Sequence, residues 1–209
     1  MTTPRRPFRR AGEEERRSDL IAATQECIIE GGIGAATIRK VADIAGVTPG
    51  LVRYYFADKV SLLSATYLVT MSTMTQQATP ILIDSDLSAC AKFRLFIQAS
   101  LTAPVMQPRN YQLWASFTSL INSIPEITVM HRQAYLEYRN SCEVLIREVF
   151  VETGRDLDDR KIKGLAIAVN ALIDGLWIEG CMAVELFEDD ELVELGVSSV
   201  QQILGLKEL

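Results

Sequence analysis

A chain of 209 residues that is 48% hydrophobic is long enough to bury a sizeable core and too apolar to be mostly disordered. Its formal net charge of −6 is unevenly spread: residues 1–65 carry 10 Lys and Arg against 8 Asp and Glu, whereas the remainder carries 11 against 19. The acidic total does not exclude nucleic acid as a partner, because phosphate affinity depends on where the basic residues sit.

Arg5, Arg6, Arg9 and Arg10 form a basic arm over residues 1–12. Such an arm either enters a DNA minor groove, where arginine is drawn to negative potential, or is a solvated tail. A first helix is predicted to start near Glu13 to Glu15, to carry Leu20, Ala23, Thr24, Cys27 and Ile28 on one face, and to stop at Gly31-Gly32.

The stretch from Thr37 to Phe56 then specifies two short helices across a tight turn. Thr37 is a natural N-cap, and Ile38, Val41, Ala42 and Ala45 make one apolar stripe at i, i+3, i+4 and i+7. Gly46 follows, where a helix commonly ends in the left-handed conformation. Thr48 caps the second helix and Pro49 occupies its first position, where a missing N–H costs nothing. With Val47, Val52 and Phe56 packed inward, Pro49, Gly50, Arg53 and Tyr54 face out behind a leading end of little bulk, which is the pattern of a DNA-reading helix-turn-helix. Arg53 is suited to bidentate contact with guanine, and Leu51 and Tyr54 to thymine methyls. Thr37, Thr48, Tyr55 and Lys59 suit phosphate by type and by position at helix starts.

These residues resemble the TetR family of bacterial repressors, which share Thr-(hydrophobic)-x-x-(hydrophobic)-Ala before the turn, Ala-Gly-Val in it, and Tyr-Tyr-Phe-x-x-Lys-x-x-Leu-Leu at the exit. Here those motifs are Thr37 to Ala42, Ala45-Gly46-Val47, and Tyr54-Tyr55-Phe56 through Lys59 to Leu62-Leu63. The resemblance implies that Arg39, Pro49, Gly50, Arg53 and Tyr54 read bases and that Thr37, Tyr55 and Lys59 hold the DNA backbone. It also implies a homodimer that represses a nearby operon and lets go when a small molecule binds its other domain. The strong likeness covers about the first sixty-five residues, so residues 13–65 are expected to be the DNA-binding domain and 66–209 an effector-binding and dimerisation domain.

After a long helix capped by Asp58 and running to about Thr79-Pro80, helices are predicted over 87–103, 109–122, 126–153, 158–184 and 189–205, with Pro104, Pro108, Pro125 and Gly154 at their boundaries. No strand alternation is evident, and the expected fold class is all-α. The last two helices are the candidates for dimerisation: Gly164, Ala168, Ala171, Gly175 and Ala183 allow close approach, and Val193, Val197, Val200 and Leu204 form a stripe at helical spacing. A twofold dimer would double the short site that one recognition helix covers.

Trp114, with Tyr111 and Phe117 near it, and Trp177, which closes Ala171-Leu-Ile-Asp-Gly-Leu-Trp177, either line an effector pocket or pack the core. The second motif resembles the C-terminal domain of BetI-type, choline-responsive repressors, as does Leu-Trp-Ala-Ser-Phe more weakly; Thr118 stands where that resemblance would put a second aromatic. Asn170 and Asp174 lie at i and i+4 on an otherwise apolar helix, where an unpaired charge is costly. Asp174 must meet a neighbouring helix, a dimer mate or a cationic ligand.

Cys27, Cys90, Cys142 and Cys181 are dispersed and are expected to be buried thiols of a cytoplasmic protein. The apolar run from Gly164 to Ile178 is interrupted by Asn170 and Asp174 and reads as too short for a bilayer. His131, the sole histidine, has no carboxylate or cysteine at metal spacing and reads as a surface or helix-packing residue. No metal, cofactor or catalytic constellation is expected, and the chain reads as a regulator rather than an enzyme. Choline-like cations, polyamines, and apolar lipids or drugs stay open as effectors, as does a ligand-independent architectural role.

Overall fold

Caps and glycines delimit the first helices where the sequence puts them. The computed structural model describes residues 12–84, 86–188, 190–207 and 209; the arginines of the basic arm lie outside that range. Helix α1 spans Glu13–Ala35, but its regular course breaks at Gly31 and at Gly32, the latter at φ 72° and ψ −178°, before a last short turn. That backbone region favours glycine. Helix α2 (Ile38–Ala45) opens with the Thr37 Oγ1 accepting the Lys40 N–H at 3.2 Å, and closes with Gly46 at φ 66°, ψ 34°, its N–H directed at the Ala42 and Asp43 carbonyls. Helix α3 (Pro49–Tyr55) opens with Thr48 Oγ1 accepting the Leu51 N–H at 3.3 Å. Asp58 Oδ1 accepts the Ser61 N–H at 2.7 Å and so caps α4 (Lys59–Thr75).

The chain divides into two compact units, one ending at Thr66 and the other beginning at Tyr67. In the first, Leu20, Cys27, Ile28, Val41, Ala42, Val52 and Leu62 are all but inaccessible, so one face of each helix closes a small core. Arg17 lies over the Phe56 ring at 5.1 Å, and the Lys59 Nζ donates to the Ile33 carbonyl at 3.1 Å, which ties the start of α4 back to the end of α1.

In the second unit α4 ends sooner than expected, at Thr75, and a 3₁₀ turn leads into α5 (Thr79–Ile83). There follow α6 (Ala89–Ser100), α7 (Pro108–Thr118), α8 (Pro125–Glu152), α9 (Asp159–Met182) and α10 (Glu191–Leu204). Pro108 and Pro125 stand at helix starts, where they lose no hydrogen bond. No strand occurs among the described residues, and the fold is all-α. Phe93, Phe96 and Ile97 of α6, Leu145, Ile146 and Val149 of α8, and Ile162, Val169 and Ile173 of α9 form the centre of its core.

Two expectations for the last helices need correction. Val193, Val197, Val200 and Leu204 do not form an outward dimer stripe; they are at most 5% exposed and belong to the core of their own subunit. Gly196 on the same face lets α10 approach closely, since a Cβ there would stand 2.9 Å from Leu101 Cδ1 and 3.0 Å from Ile97 Cγ2. Secondly, α9 is 24 residues and, by length and composition alone, apolar enough to cross a membrane. One face, including Ile162, Ala166, Val169, Ile173 and Trp177, is buried in the core, while Gly164, Ala168, Ala171 and Gly175 are exposed on another. A helix apolar on more than one face calls for more than one packing partner.

Candidate DNA-reading and effector sites

On α3 the backbone does what base reading requires. Val52 and Phe56 are buried, which turns Pro49, Gly50, Arg53 and Tyr54 outward, Tyr54 with 74% of its surface accessible. Leu51 and Tyr55 are half-buried, and the Tyr55 ring meets the Tyr54 ring edge-on at 5.2 Å. Arg39 on α2 is exposed too, and neither it nor Arg53 is in an ion pair among the described residues. Thr37 and Thr48 are exposed; each uses its oxygen to cap a helix and keeps a hydroxyl proton to donate outward. Lys59 is half-buried and spends one N–H on the Ile33 carbonyl, which holds its ammonium group in place.

The second unit holds a cavity of about 320 Å³, within the range of small-molecule sites. Met71, Met74 and Thr75 reach it from α4, Ser100 from α6, Trp114 from α7, and Asn170, Ile173, Asp174, Trp177 and Ile178 from α9. His131, Ala134, Tyr135 and Tyr138 of α8 supply the remaining wall with Val105.

Of the six residues expected at an effector site, four line this cavity. Trp114 and Trp177 meet edge-to-face at 5.7 Å and 83°, and the buried Trp177 donates its indole N–H to the Val105 carbonyl at 3.1 Å. Asn170, 1% exposed, donates from Nδ2 to Asp174 Oδ2 at 2.7 Å. Tyr111 stands behind the wall, packed 6.2 Å from Trp114 and 6.0 Å from Trp177. Phe117 is fully buried and meets Tyr67 edge-on at 5.2 Å, so its ring packs the core. Packing between α4 and α7 claims the face on which Phe117 lies.

The α8 contribution is absent from the sequence reading. His131, Tyr135 and Tyr138 are spaced i, i+4 and i+7, a helical stripe of rings, and that periodicity was the available signal. His131 is a cavity residue rather than a surface one: its Nδ1 lies 2.7 Å from the Tyr67 hydroxyl and its ring stacks on Tyr135 at 6.1 Å. Thr118, in the place of the aromatic implied by the BetI resemblance, donates its hydroxyl to the Ala115 carbonyl at 2.6 Å. Three rings of α8, His131, Tyr135 and Tyr138, line the cavity.

The electrostatics centre on Asp174. Loss of hydration pushes its carboxyl up to about 6, against the opposing effect of the Asn170 hydrogen bond. The residue as a whole remains exposed, so its surroundings are partly dry rather than sealed. Burial raises Tyr138 well above its ordinary value and Cys142 to about 12, and the Asp174 charge adds to both. Burial lowers His131, which leaves its ring neutral at pH 7. All four cysteines are free thiols and burial raises each, Cys181 to about 11. Cys90 departs from expectation only in being half-buried.

Residues 20–66 match the bacterial regulatory proteins of the TetR family, and residues 89–205 match the C-terminal domain of BetI-type transcriptional repressors. This chain belongs to the TetR family, with a BetI-type C-terminal domain. The HTH-type transcriptional regulator BetI of Pseudomonas paraeruginosa is 30% identical over 194 residues, covering 91% of this chain and 93% of that protein. BetI of Burkholderia mallei is 29% identical, with 92% and 95% covered. Among solved structures, a transcriptional regulator from Pseudomonas aeruginosa PAO1 superposes with a TM-score of 0.85 at 27% identity, over 94% of this chain and 93% of the other. The TetR-family regulator described here is thus a DNA-binding transcription regulator of the BetI-type repressor group.

Proposed function

We propose that this regulator is a homodimeric repressor that binds a palindromic or pseudopalindromic operator through α3 and is released by a small cationic effector in the cavity of the second unit. The observation that carries the reading is Asp174: a partly dried carboxylate on a wall that also holds Trp114, Trp177 and Tyr138, and no Lys or Arg among the described lining residues. A carboxylate flanked by aromatic faces suits a cation, through charge and through cation–π attraction. Residues 13–65 would carry DNA binding and 66–209 effector binding and dimerisation, in the cytoplasm, where operator DNA is met. Arg39, Pro49, Gly50, Leu51, Arg53 and Tyr54 would face bases, with Thr37, Thr48, Tyr55 and Lys59 on phosphate.

Dimerisation would use the exposed small-residue face of α9, at Gly164, Ala168, Ala171 and Gly175, together with Leu195 of α10, which is 48% exposed. Effector binding would favour a dimer with the wrong spacing of recognition helices. Helix α4 gives Met71, Met74 and Thr75 to the cavity wall and starts at the exit of the helix-turn-helix, which supports a route between the two functions. A coupling of about 1–3 kcal/mol would lower operator affinity roughly five- to 150-fold. No bond-making step is needed.

A second reading, an apolar drug or lipid effector, has support in the Met71, Met74, Val105 and Ile173 portion of the wall. Fluorescence anisotropy of a duplex from upstream of the protein's own coding region separates the two when challenged with choline, betaine aldehyde, polyamines and lipophilic drugs. Release by cations alone supports the first. Release only by neutral lipophilic compounds replaces it with the second, and sequence-specific binding that no cavity ligand alters favours ligand-independent action.

A further inference from the structure

For several polar groups on the wall that holds Asp174, the hydrogens can be assigned one by one. Ser100 Oγ lies 2.8 Å from the Phe96 carbonyl, which can only accept, so the single Ser100 hydroxyl proton is engaged there. The 2.7 Å contact between Ser100 Oγ and Tyr138 Oη must then use the proton of Tyr138. Tyr138 is left with an oxygen that accepts. Thr75 donates to the Met71 carbonyl at 3.1 Å, and the indole N–H of Trp177 is engaged by Val105. Asn170 gives an amide hydrogen to Asp174, while its Oδ1 is buried with no hydrogen-bond partner among the described residues. Ser100, Tyr138, Asn170 and Asp174 all line the one cavity, joined in pairs by these bonds.

Asp174, Tyr138 and Asn170 together offer a negative charge and more acceptors than donors, while Trp114, His131 and Tyr135 bring N–H and O–H groups to the same wall, and an unsatisfied buried acceptor is costly. A quaternary ammonium would neutralise the charge and lie against the rings, yet it has no hydrogen to give. An ammonium that carries N–H bonds would do both, placed at Asp174 beside the unpartnered Asn170 carbonyl.

We infer that the effector of this regulator is a primary, secondary or tertiary amine in its protonated form, with an apolar body against Trp114 and Trp177, selected over its quaternary counterpart by acceptors at Asp174, Tyr138 and Asn170. The inference rests on the cationic-effector reading above and narrows it. Charge-assisted hydrogen bonds are among the stronger polar contacts, so loss of the last N–H should weaken binding about tenfold or more.

The test uses the unmodified full-length protein. Trp114 and Trp177 are its two tryptophans, so intrinsic fluorescence reports on the cavity without a label. Phenethylamine and its N-methyl, N,N-dimethyl and N,N,N-trimethyl derivatives are titrated at pH 7.4, with ethanolamine, its methylated series and choline as a second ladder. The expected result is binding by the first three members of a ladder and a fall of about tenfold at the last methylation, where the only remaining N–H disappears. Tyr138→Phe, which keeps the ring and removes the acceptor, should shrink that step. Affinity that is level or rises to the quaternary member overturns the inference and leaves a cationic effector standing. No response to any member of either ladder, from protein whose helical circular dichroism is intact, overturns both.

Discussion

Replacing Asp174 with Asn separates what this carboxylate does for the fold from what it does for a ligand. Asn keeps an oxygen for the Asn170 amide and removes the charge. The folded carboxyl titrates near 6, above its ordinary 3.8, so the folded state holds the proton more tightly than the unfolded chain. The sign follows from linkage: ionisation of Asp174 opposes folding, and its cost grows as pH rises from about 4 to about 6 and is constant above. Full removal from water would make that cost roughly 3 kcal/mol, and the water that still reaches the residue brings it to about 1 kcal/mol. Asp174→Asn should therefore raise the stability of the ligand-free protein by about 1 kcal/mol at pH 7.5 and by nothing at pH 4. Cation binding should show the reverse. The variant should lose it, and in the wild type affinity should fall about tenfold between pH 7 and pH 5 as Asp174 takes up a proton. Charging of His131 on α8 would act in the same direction, whereas Tyr138 and Cys142 stay neutral throughout. Urea unfolding of both proteins across this pH range, with fluorescence titration of phenethylamine, tests the two halves. A variant less stable than wild type at pH 7.5, or a stability difference that does not vary with pH, would refute the desolvation argument.

Arg53→Ala should weaken operator binding by about 1–3 kcal/mol while leaving unfolding unchanged, because the side chain is exposed and makes no fold contact in an ion pair; anisotropy against thermal melting separates the two. Gly46→Val places a β-branched residue at φ 66° and should cost the first unit at least about 1–2 kcal/mol, read as a lower urea midpoint, with DNA binding lost in proportion to unfolding. Trp177→Phe leaves the Val105 carbonyl without its indole donor in a buried setting and should destabilise the second unit by about 1–3 kcal/mol in denaturant titration. A neutral result there would mean that water replaces the indole.

The fold was legible because its instructions are local. Thr37, Gly46, Thr48, Pro49 and Asp58 act within four residues of themselves, by offering a capping oxygen, a left-handed backbone or a fixed φ, and the helices begin and end there. Val52 and Phe56 buried on α3 oblige Arg53 and Tyr54 to face out, which periodicity alone conveys. The lining of the cavity was legible only in part. Asn170 and Asp174 stand out as polar residues on an apolar helix, but Tyr111 and Phe117, each three residues from Trp114, do not join it on the cavity wall.

The sequence by itself determined an all-α chain, the capped starts of α2, α3 and α4, the helix-turn-helix with its outward face, and membership in a regulator family. Tertiary structure decided that the Val193 to Leu204 stripe turns inward to its own core, that Phe117 packs against Tyr67, and that His131, Tyr135 and Tyr138 close the cavity around Asp174. The reason is range. Capping and backbone conformation are settled between near neighbours, whereas a cavity is a place where side chains from α4, α6, α7, α8 and α9 fail to fill space, and only their joint packing determines where that is.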